Sequence, residues 1–387
     1  MRVQDLKLRE ILATNSFRTI EVELETNKGK VRASVPMGTS RSKYEVEYLP
    51  VDDIIENFPK IKRHFVSQSF DNQEDVDIFL RIIDRTVAFR QMGGNLALAI
   101  SSVFLKAFAM HEEKEVFEYL TLEPTIPLPL CNVAGGWKGQ SDIQEFLILP
   151  PVQKSFLDNI KKIARAYWKL GNKLKEKDRS FSFGKNIESA WITSLPFERV
   201  LNILADVVGE SSLEIGLDVA ASQLWSENSH KYLYRYGSLN TPEQFSVMEE
   251  LLKKYPITYI EDPFHEDDFI MFSTLTGRIK DKIVVGDDLF STNMERLQYG
   301  ISYKAANGII IKPSQVGTIT DVIKIVHEAK KNGMKTIVSH RSGETEDTLI
   351  SHLAVGLNSD YIKLGISGER TVKINELIRI EEKLSKF

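Results

Sequence analysis

The chain has a single cysteine, Cys131, among its 387 residues. One cysteine cannot form an internal disulfide, and such sparse use of cysteine is typical of a reducing compartment. No uninterrupted run of about 18 apolar residues is present, so no membrane span is expected. The opening residues, MRVQDLKLRE, lack the apolar core of a secretory signal peptide. We therefore expect a cytoplasmic protein without a membrane partner.

The chain also lacks an excess of basic charge. Its 50 Lys and Arg residues are balanced by 54 Asp and Glu residues, for a net charge of -4. Basic clusters such as residues 173–177 are interleaved with acids and are typical of solvated helix faces. The charge pattern therefore predicts no nucleic-acid partner. The 42% hydrophobic content and the chain length indicate a globular protein of two domains or one large domain.

The first third of the sequence predicts an α+β unit. Residues 19–26 alternate between apolar and polar, which is typical of a half-buried strand, and residues 31–35 return as its antiparallel partner after an Asn-Lys-Gly turn. Helical patterns follow at residues 74–86 and 95–110, the second apolar enough to be a buried helix. A Pro-rich segment at 124–129 indicates a linker. We therefore predict an N-terminal domain at 1–125 and a second domain at 126–387.

The second half has a different pattern. Six short apolar runs each end in a polar or charged residue, and amphipathic helical stretches separate them. The runs are LEIGLD (213–218), ITYIE (257–261), IVVGD (283–287), GIIIK (308–312), KTIVSH (335–340) and YIK (361–363). Buried parallel strands alternating with helices fit a (β/α)8-type barrel better than a doubly wound sheet, because no Gly-rich phosphate-binding loop is present. In such barrels the chemistry lies at the carboxyl ends of the strands.

Three of these runs end in acids, namely Asp218, Glu261 and Asp287. Carboxylates crowded at one barrel mouth repel each other unless a cation compensates them. Oxygen ligands alone favour Mg²⁺ or a similar hard ion. The alternative is that each acid caps a helix or faces solvent. We interpret the neighbouring Asp262 and Asp288 as supporting or loop residues.

Two other runs end in lysines, Lys312 and Lys363. A buried lysine beside a bound metal ion has a lowered pKa and can act as a general base. The alternative for either lysine alone is a salt bridge to a neighbouring carboxylate. Two lysines facing three acids favour a catalytic arrangement.

The segment SHRSGETED at 339–347 follows another strand. Arg341 and Ser342 offer a planar donor fork and a hydroxyl suited to phosphate, and His340 could donate a hydrogen bond or carry a proton. The alternative is ordinary capping of a helix N-terminus. Together these residues predict a reaction in which a lysine removes a proton beside a carboxylate. Metal stabilises the charge, and an acid assists a β-leaving group.

Motifs along nearly the whole chain resemble the enolase family. They are REILATNSFRTIEVELETNKGKVRASVP, FRQMGGNLALAISSVFLKAFA, GLDVAAS, YIEDPFHEDD, VVGDDLFSTN, IIIKPSQVGT, VSHRSGETEDT and IKLGISGERTVKINELIRIEEKL, in that order. The resemblance implies an α+β capping domain on an eight-stranded barrel whose second strand is antiparallel. It also implies two magnesium ions, one of them binding with substrate, and a homodimer or higher oligomer.

The resemblance assigns roles to individual residues. Asp218, Glu261 and Asp287 would hold the first magnesium, and Ser40 would reach the second. Lys312 would be the base and Lys363 would help bind the substrate carboxylate. Arg341 and Ser342 would bind the phosphate, with His340 alongside. Gln144 would contact substrate and Glu145 would assist at the leaving hydroxyl.

Three segments depart from the family pattern. The first mobile loop, normally S-G-A-S-T-G, is Met-Gly-Thr-Ser-Arg-Ser at 37–42. The second, normally S-H-A-G-N, is shortened to Trp-Lys-Gly-Gln at 137–140 and lacks the histidine. The G-D-E-G-G-F motif that carries the family's general acid is absent, and Glu188 in Asn-Ile-Glu-Ser-Ala-Trp is its candidate replacement.

The sequence thus predicts a lyase that interconverts 2-phospho-D-glycerate and phosphoenolpyruvate in glycolysis and gluconeogenesis. One alternative is a paralogue that binds magnesium and a phosphorylated hydroxy acid but catalyses another reaction. The other is a catalytically weak relative kept as an interaction or structural protein.

Overall fold

A three-stranded antiparallel sheet and four helices form the N-terminal part of the computed structural model, which describes residues 1–38, 42–136, 141–152, 154–235 and 237–385. The strands are β1 (Val3–Leu12), β2 (Arg18–Thr26) and β3 (Gly29–Ser34), in that spatial order. The helices are α1 (Val51–Phe65), α2 (Gln73–Asp84), α3 (Gly94–His111) and α4 (Val116–Leu120). The predicted hairpin is confirmed, with Thr26 opposite Gly29. Strand β1 was not predicted, because Val-Gln-Asp-Leu-Lys-Leu-Arg-Glu does not alternate regularly.

Helix α3 is the centre of this part of the molecule. Almost every side chain along it is buried against the sheet and the neighbouring helices. Among the described helices it is the one long and apolar enough to cross a membrane, but it is 83% buried inside the fold. This confirms the prediction of a buried helix.

The rest of the chain builds a closed eight-stranded barrel, which confirms the predicted fold class. Strand β5 is antiparallel to both of its neighbours, β4 and β6, and the remaining pairs are parallel. The strands in barrel order are β4 (Leu128–Gly135), β5 (Glu145–Leu149), β6 (Glu214–Asp218), β10 (Ile257–Glu261), β11 (Ile283–Gly286), β12 (Gly308–Ile311), β13 (Lys335–Ser339) and β14 (Tyr361–Gly365).

Helices surround the barrel, and a small extra sheet is inserted after β6. The helices are α5 (Phe156–Lys177), α6 (Phe197–Gly209), α7 (Thr241–Lys254), α8 (Phe269–Arg278), α9 (Met294–Tyr303), α10 (Pro313–Val316), α11 (Ile319–Lys331), α12 (Leu349–Gly356) and α13 (Thr371–Leu384). The extra strands are β7 (Trp225–Ser226), β8 (Lys231–Tyr234) and β9 (Gly237–Leu239). All six predicted strand segments form strands. Strand β4 begins at Leu128, inside the segment predicted as a linker.

The barrel interior is filled by apolar side chains below the strand ends. Leu130, Leu147, Tyr259, Val285 and Ile310 belong to one buried cluster. Strand-end side chains above this layer are polar. The apolar layer therefore closes the barrel interior, and a cavity opens above it at the carboxyl ends of the strands.

We expect Ile310→Ala to lower the free energy of unfolding by about 2–5 kcal/mol, because it removes buried methyl groups and leaves a void. Chemical denaturation of wild type and variant measures the difference. Ile78→Ala is the matched control, since Ile78 is 50% exposed on α2 and its loss should change stability by less than about 0.5 kcal/mol. Equal losses in the two variants would contradict a close-packed barrel interior.

Candidate active site

A cavity of about 260 Å³ opens at the carboxyl ends of the barrel strands. Most of the predicted site residues line it, namely Gln144, Glu145, Asp218, Asp287, Lys312, His340, Arg341, Ser342 and Lys363. Glu261 is fully buried just behind it. Ser40 lies outside the described residues, as do the altered positions 39–41 and 137–140 of the two loops. Residues that are distant in the sequence therefore share one cavity.

The ammonium group of Lys363 lies among three buried carboxylates. Its Nζ is 2.8 Å from Glu145 Oε2, 2.8 Å from Asp218 Oδ2 and 2.7 Å from Glu261 Oε1. The second oxygen of Glu261 accepts a hydrogen bond from the Tyr259 hydroxyl at 2.6 Å. The parallel register of β6 and β10 places Asp218 beside Glu261. One lysine thus compensates the ends of three adjacent strands.

Burial and mutual repulsion dominate the electrostatics of these groups. Burial, then the charge of Asp218, raises the pKa of Glu261 well above its ordinary value. Burial would lower the pKa of Lys363, but the surrounding carboxylates outweigh it and raise that pKa well above the usual range. The charged form of Lys363 is therefore strongly favoured while the carboxylates have no other cation.

Lys312 forms an ion pair with Asp287 across neighbouring strands. Burial acts to lower the pKa of Lys312, yet the negative charges around it, chiefly Asp287, raise it above the ordinary value. The expectation of a lowered pKa applies to a lysine beside a bound metal ion, and it stays a prediction for that state.

Asp262 supports the end of β11. Its two carboxylate oxygens accept hydrogen bonds from the backbone amides of Asp287 and Asp288, at 3.1 and 2.7 Å. Because both oxygens are committed to backbone amides, Asp262 orients its neighbours. This agrees with its interpretation as a supporting residue. Burial and the charge of Asp287 raise the pKa of Asp288 to about 8.

The carboxylates suit a divalent cation. Asp218 Oδ1 is buried and, among the described residues, has no hydrogen-bond partner. Oxygens of Asp262, Asp287 and Asp288 also lie within 4.8 Å of one another. A buried carboxylate oxygen without a donor is costly, and a hard cation such as Mg²⁺ would satisfy it. The donor set therefore fits magnesium.

Glu188 lies beside Glu145 and His340 in the cavity. One oxygen or ring nitrogen from each of the three lies within 4.8 Å of the others. Asn132 Nδ2 donates to Glu188 Oε2 at 3.1 Å. The missing motif alone left Glu188 as a weak candidate, yet the fold brings it to the site. The sequence signal that points to Glu188 is that it is the one acidic residue in the segment 186–191.

The loop that carries Glu188 is held from below. Asn186 Oδ1 accepts hydrogen bonds from the backbone amides of Glu188 and Ala190, both at 3.0 Å. The Tyr167 hydroxyl donates to the Ser189 carbonyl oxygen at 2.7 Å. The Trp191 ring stacks on Tyr167 with 4.4 Å between centroids. Backbone hydrogen bonds and aromatic packing therefore hold the loop in place.

Burial, opposed by Lys363 and reinforced by Glu188, raises the pKa of Glu145 to about 8. A hydrogen bond between two carboxyl groups requires a proton on one of them. The contact between Glu145 and Glu188 therefore favours one neutral carboxyl group. The raised pKa favours the protonated form of Glu145 more than in an ordinary glutamate. Such a pair can donate a proton to a leaving group.

Arg341 is buried in the segment that follows strand β13, and it lines the same cavity. Its Nη1 lies 3.2 Å from Glu45 Oε2, a residue of the N-terminal part that sequence reasoning missed. Its backbone amide donates to Glu344 Oε1 at 2.8 Å. The adjacent Gly343 exchanges two backbone hydrogen bonds with Met37, at 2.7 and 2.8 Å. The N-terminal part therefore helps to hold this segment.

Gln144 reaches toward the predicted metal ligands. Its Nε2 donates to Asp218 Oδ2 at 3.3 Å, and its Oε1 accepts from Gln223 Nε2 at 2.6 Å. This side chain lies at the mouth of the cavity, where it can contact a bound molecule.

Comparison with known proteins gives a consistent result over the whole chain. The family model described as "Enolase, N-terminal domain" matches residues 3–120, and "Enolase, C-terminal TIM barrel domain" matches residues 123–387. The chain is 37% identical to a protein named "Enolase" from Methanothermobacter thermautotrophicus, over 99% of this chain and 97% of that one. It is 38% identical to "Enolase" of Pyrobaculum aerophilum and 37% to that of Archaeoglobus fulgidus, over 100% of this chain and 98% of each relative.

We expect Glu145→Gln to remove one protonated carboxyl group at neutral pH. The infrared difference spectrum of wild type minus variant should show its carbonyl band, and the band should fade as the pH rises through the pKa of about 8. Asp347→Asn is the control. Burial opposes ionisation of Asp347, but Lys106 lowers its pKa, so its difference spectrum should lack the band. A Glu145 spectrum without the band would show that the group is ionised.

Proposed function

We propose that this chain, which belongs to the enolase family and is an enolase-like lyase, interconverts 2-phospho-D-glycerate and phosphoenolpyruvate plus water. The observation that carries the proposal is one cavity in which Lys312, the Glu145–Glu188 pair and Arg341 meet. These groups correspond to the three needs of the reaction, namely a base, an acid and an anion binder. In cells the reaction would serve glycolysis and gluconeogenesis.

Lys312 removes the proton from the carbon beside the substrate carboxylate. It directly follows strand β12, and its side chain is only 15% exposed, so its amine is largely shielded from bulk water. The ion pair with Asp287 keeps it protonated in the arrangement described above. Neutralising Asp287 with a cation would remove that effect and lower the pKa of the lysine toward the range of a base.

Glu188 and Glu145 protonate the departing hydroxyl group. They share the cavity with Lys312, and burial raises the pKa of Glu145 to about 8, which favours its protonated form. We assign Glu188 the role of the general acid that the missing motif would supply, with Glu145 as its partner. Because the two carboxyl groups lie close together, the proton that one gives to the leaving group can be replaced from the other. General acid catalysis of this kind contributes about 10²–10⁴-fold.

Arg341 and Ser342 bind the substrate phosphate, and His340 donates a hydrogen bond beside them. Arg341 would exchange Glu45 for the phosphate, since a guanidinium forms stronger, bidentate contacts with phosphate oxygens. Lys363 contacts the substrate carboxylate, and Gln144 also contacts the substrate. Each of these side chains lines the same cavity.

Magnesium fits the carboxylates Asp218, Glu261 and Asp287, and Ser40 would contribute to a second ion. When bound, the metal supplies the positive charge that stabilises the charge developing on the substrate carboxylate. A homodimer in the cytoplasm, without nucleic-acid or membrane partners, completes this proposal.

With magnesium, we expect the wild-type protein to convert 2-phosphoglycerate with the absorbance rise of phosphoenolpyruvate. Lys312→Ala should abolish both this rise and solvent deuterium exchange at C2, because no other cavity group is assigned to that proton. The control is Lys335→Ala, which should keep activity. Lys335 is half exposed and begins strand β13, at the end away from the cavity. Exchange that persists in Lys312→Ala would remove the lysine from its role. A wild type that shows neither product nor exchange would exclude the lyase reaction.

Asp287→Asn should weaken magnesium affinity by at least about tenfold, because one carboxylate charge is lost from the site. Calorimetric titration with Mg²⁺, or the rise in melting temperature with added metal, measures the change. Asp281→Asn alters a carboxylate that is 81% exposed and should leave the affinity unchanged. Unaltered affinity in Asp287→Asn would mean that the metal binds elsewhere.

A further inference from the structure

A fully buried guanidinium lies behind the cavity. Arg370 ends the short turn Gly368–Arg370 before α13 and is 0% exposed. Its carboxylate neighbour, Glu369 Oε2, is 3.5 Å away on a half-exposed side chain. Burying a cation with so little opposite charge is costly unless its donors are satisfied. The contacts of the guanidinium show how its donors are satisfied.

Arg370 directs its N–H groups toward acceptors on three different segments, at residues 340–342, 187 and 14. Nε donates to His340 Nδ1 at 3.2 Å. Nη1 donates to the Ile187 carbonyl at 2.8 Å and to Thr14 Oγ1 at 3.2 Å. Nη2 donates to the carbonyls of Arg341 at 3.1 Å and Ser342 at 2.5 Å. Because the donors of a guanidinium lie in one rigid plane, a single group fixes the positions of these acceptors relative to one another.

The segments joined in this way carry the separate parts of the cavity. Ile187 immediately precedes Glu188, whereas Arg341 and Ser342 form the segment assigned to phosphate. Thr14 belongs to the N-terminal part and also donates to the Glu344 carbonyl at 3.1 Å. The planar guanidinium of Arg370 therefore sets the distance between the Glu188 loop and the segment assigned to phosphate.

The contact with His340 has a chemical consequence. A ring nitrogen that accepts from Arg370 carries no hydrogen, so in the neutral ring the hydrogen must be on Nε2. Burial, followed by the charge of Arg370, keeps the pKa of His340 well below its ordinary value. His340 is thus a neutral imidazole whose donor nitrogen is the one left for the cavity.

We propose that Arg370 is a positioning residue: it locks His340 in the Nε2–H tautomer and holds the Glu188 loop against the phosphate-binding segment. The proposal deepens the lyase function, on which its kinetic part rests. The tautomer, in contrast, is a property of the protein without substrate or metal. The two can therefore fail separately.

The tautomer is measured first, on the wild-type protein with ¹⁵N-labelled histidine. Two-bond nitrogen–proton correlations distinguish the two neutral ring forms, and the spectrum of His340→Gln identifies the signal among the seven histidines. We expect the Nε2–H form at neutral pH. An Nδ1–H form, or a doubly protonated ring, would overturn the proposal without any variant of Arg370.

The second measurement compares two buried cations. Arg370→Lys keeps the charge but cannot reach all five acceptors, so His340 should lose its single tautomer and kcat should fall by about 10²-fold, the loss typical of a misplaced catalytic group. Arg296→Lys is the matched control. The Arg296 side chain is only 11% exposed, and it donates to the Leu289 carbonyl at 2.6 Å and to Asp267 Oδ1 at 3.0 Å, which belong to neither the 340–342 segment nor the Glu188 loop. This substitution should destabilise the protein while leaving the tautomer unchanged.

Rescue separates positioning from folding. Arg370→Gly leaves room for a free guanidinium ion, and we expect added guanidinium at low concentration to restore the His340 signal and part of kcat, whereas methylammonium of equal charge should not. A His340 tautomer that survives in Arg370→Lys, or that changes equally in Arg296→Lys, would overturn the proposal. If the wild type lacks lyase activity but shows the expected tautomer, the positioning of His340 stands and the proposed function fails.

Discussion

The repulsion between buried carboxylates at one rim of the barrel is the constraint on which the site depends. The ends of adjacent strands in a closed barrel cannot spread apart, so Glu145, Asp218 and Glu261 project into a shared space. Charges in a poorly hydrated space interact far more strongly than in water. The fold compensates them with Lys363, whose ammonium contacts all three. Removing that lysine or adding a metal would therefore change every group at this rim.

This balance links the lysines to the metal. Lys312 and Lys363 both occupy positions next to carboxylates that suit a divalent cation. A cation bound there would take over the compensation and weaken the lysines' ion pairs. With their charge compensated by the cation, the carboxylates would no longer raise the pKa values of the two lysines. Charge balance at the rim thus offers a physical route from metal binding to a reactive amine.

A second constraint comes from the segments above the barrel. The segment that carries Arg341 and Gly343 contacts Glu45 and Met37 of the N-terminal part, and Arg370 joins it to the Glu188 loop. Loops carry few contacts of their own, so their relative positions depend on such shared anchors. The N-terminal part is therefore a structural component of the cavity. It contributes side chains as well as covering the barrel.

The sequence by itself determined the class of fold and most residues of the cavity. Runs such as GIIIK and ITYIE are continuously apolar because their strands are buried on both faces, and each ends in the residue that reaches the rim. Only the tertiary structure decided which charge lies next to which. It paired Lys312 with Asp287, placed Glu188 beside Glu145, and brought Glu45 and Arg370 to the site. These contacts join residues from tens to hundreds of positions apart, and no local periodicity records them, because they depend on how the loops pack after the barrel has closed.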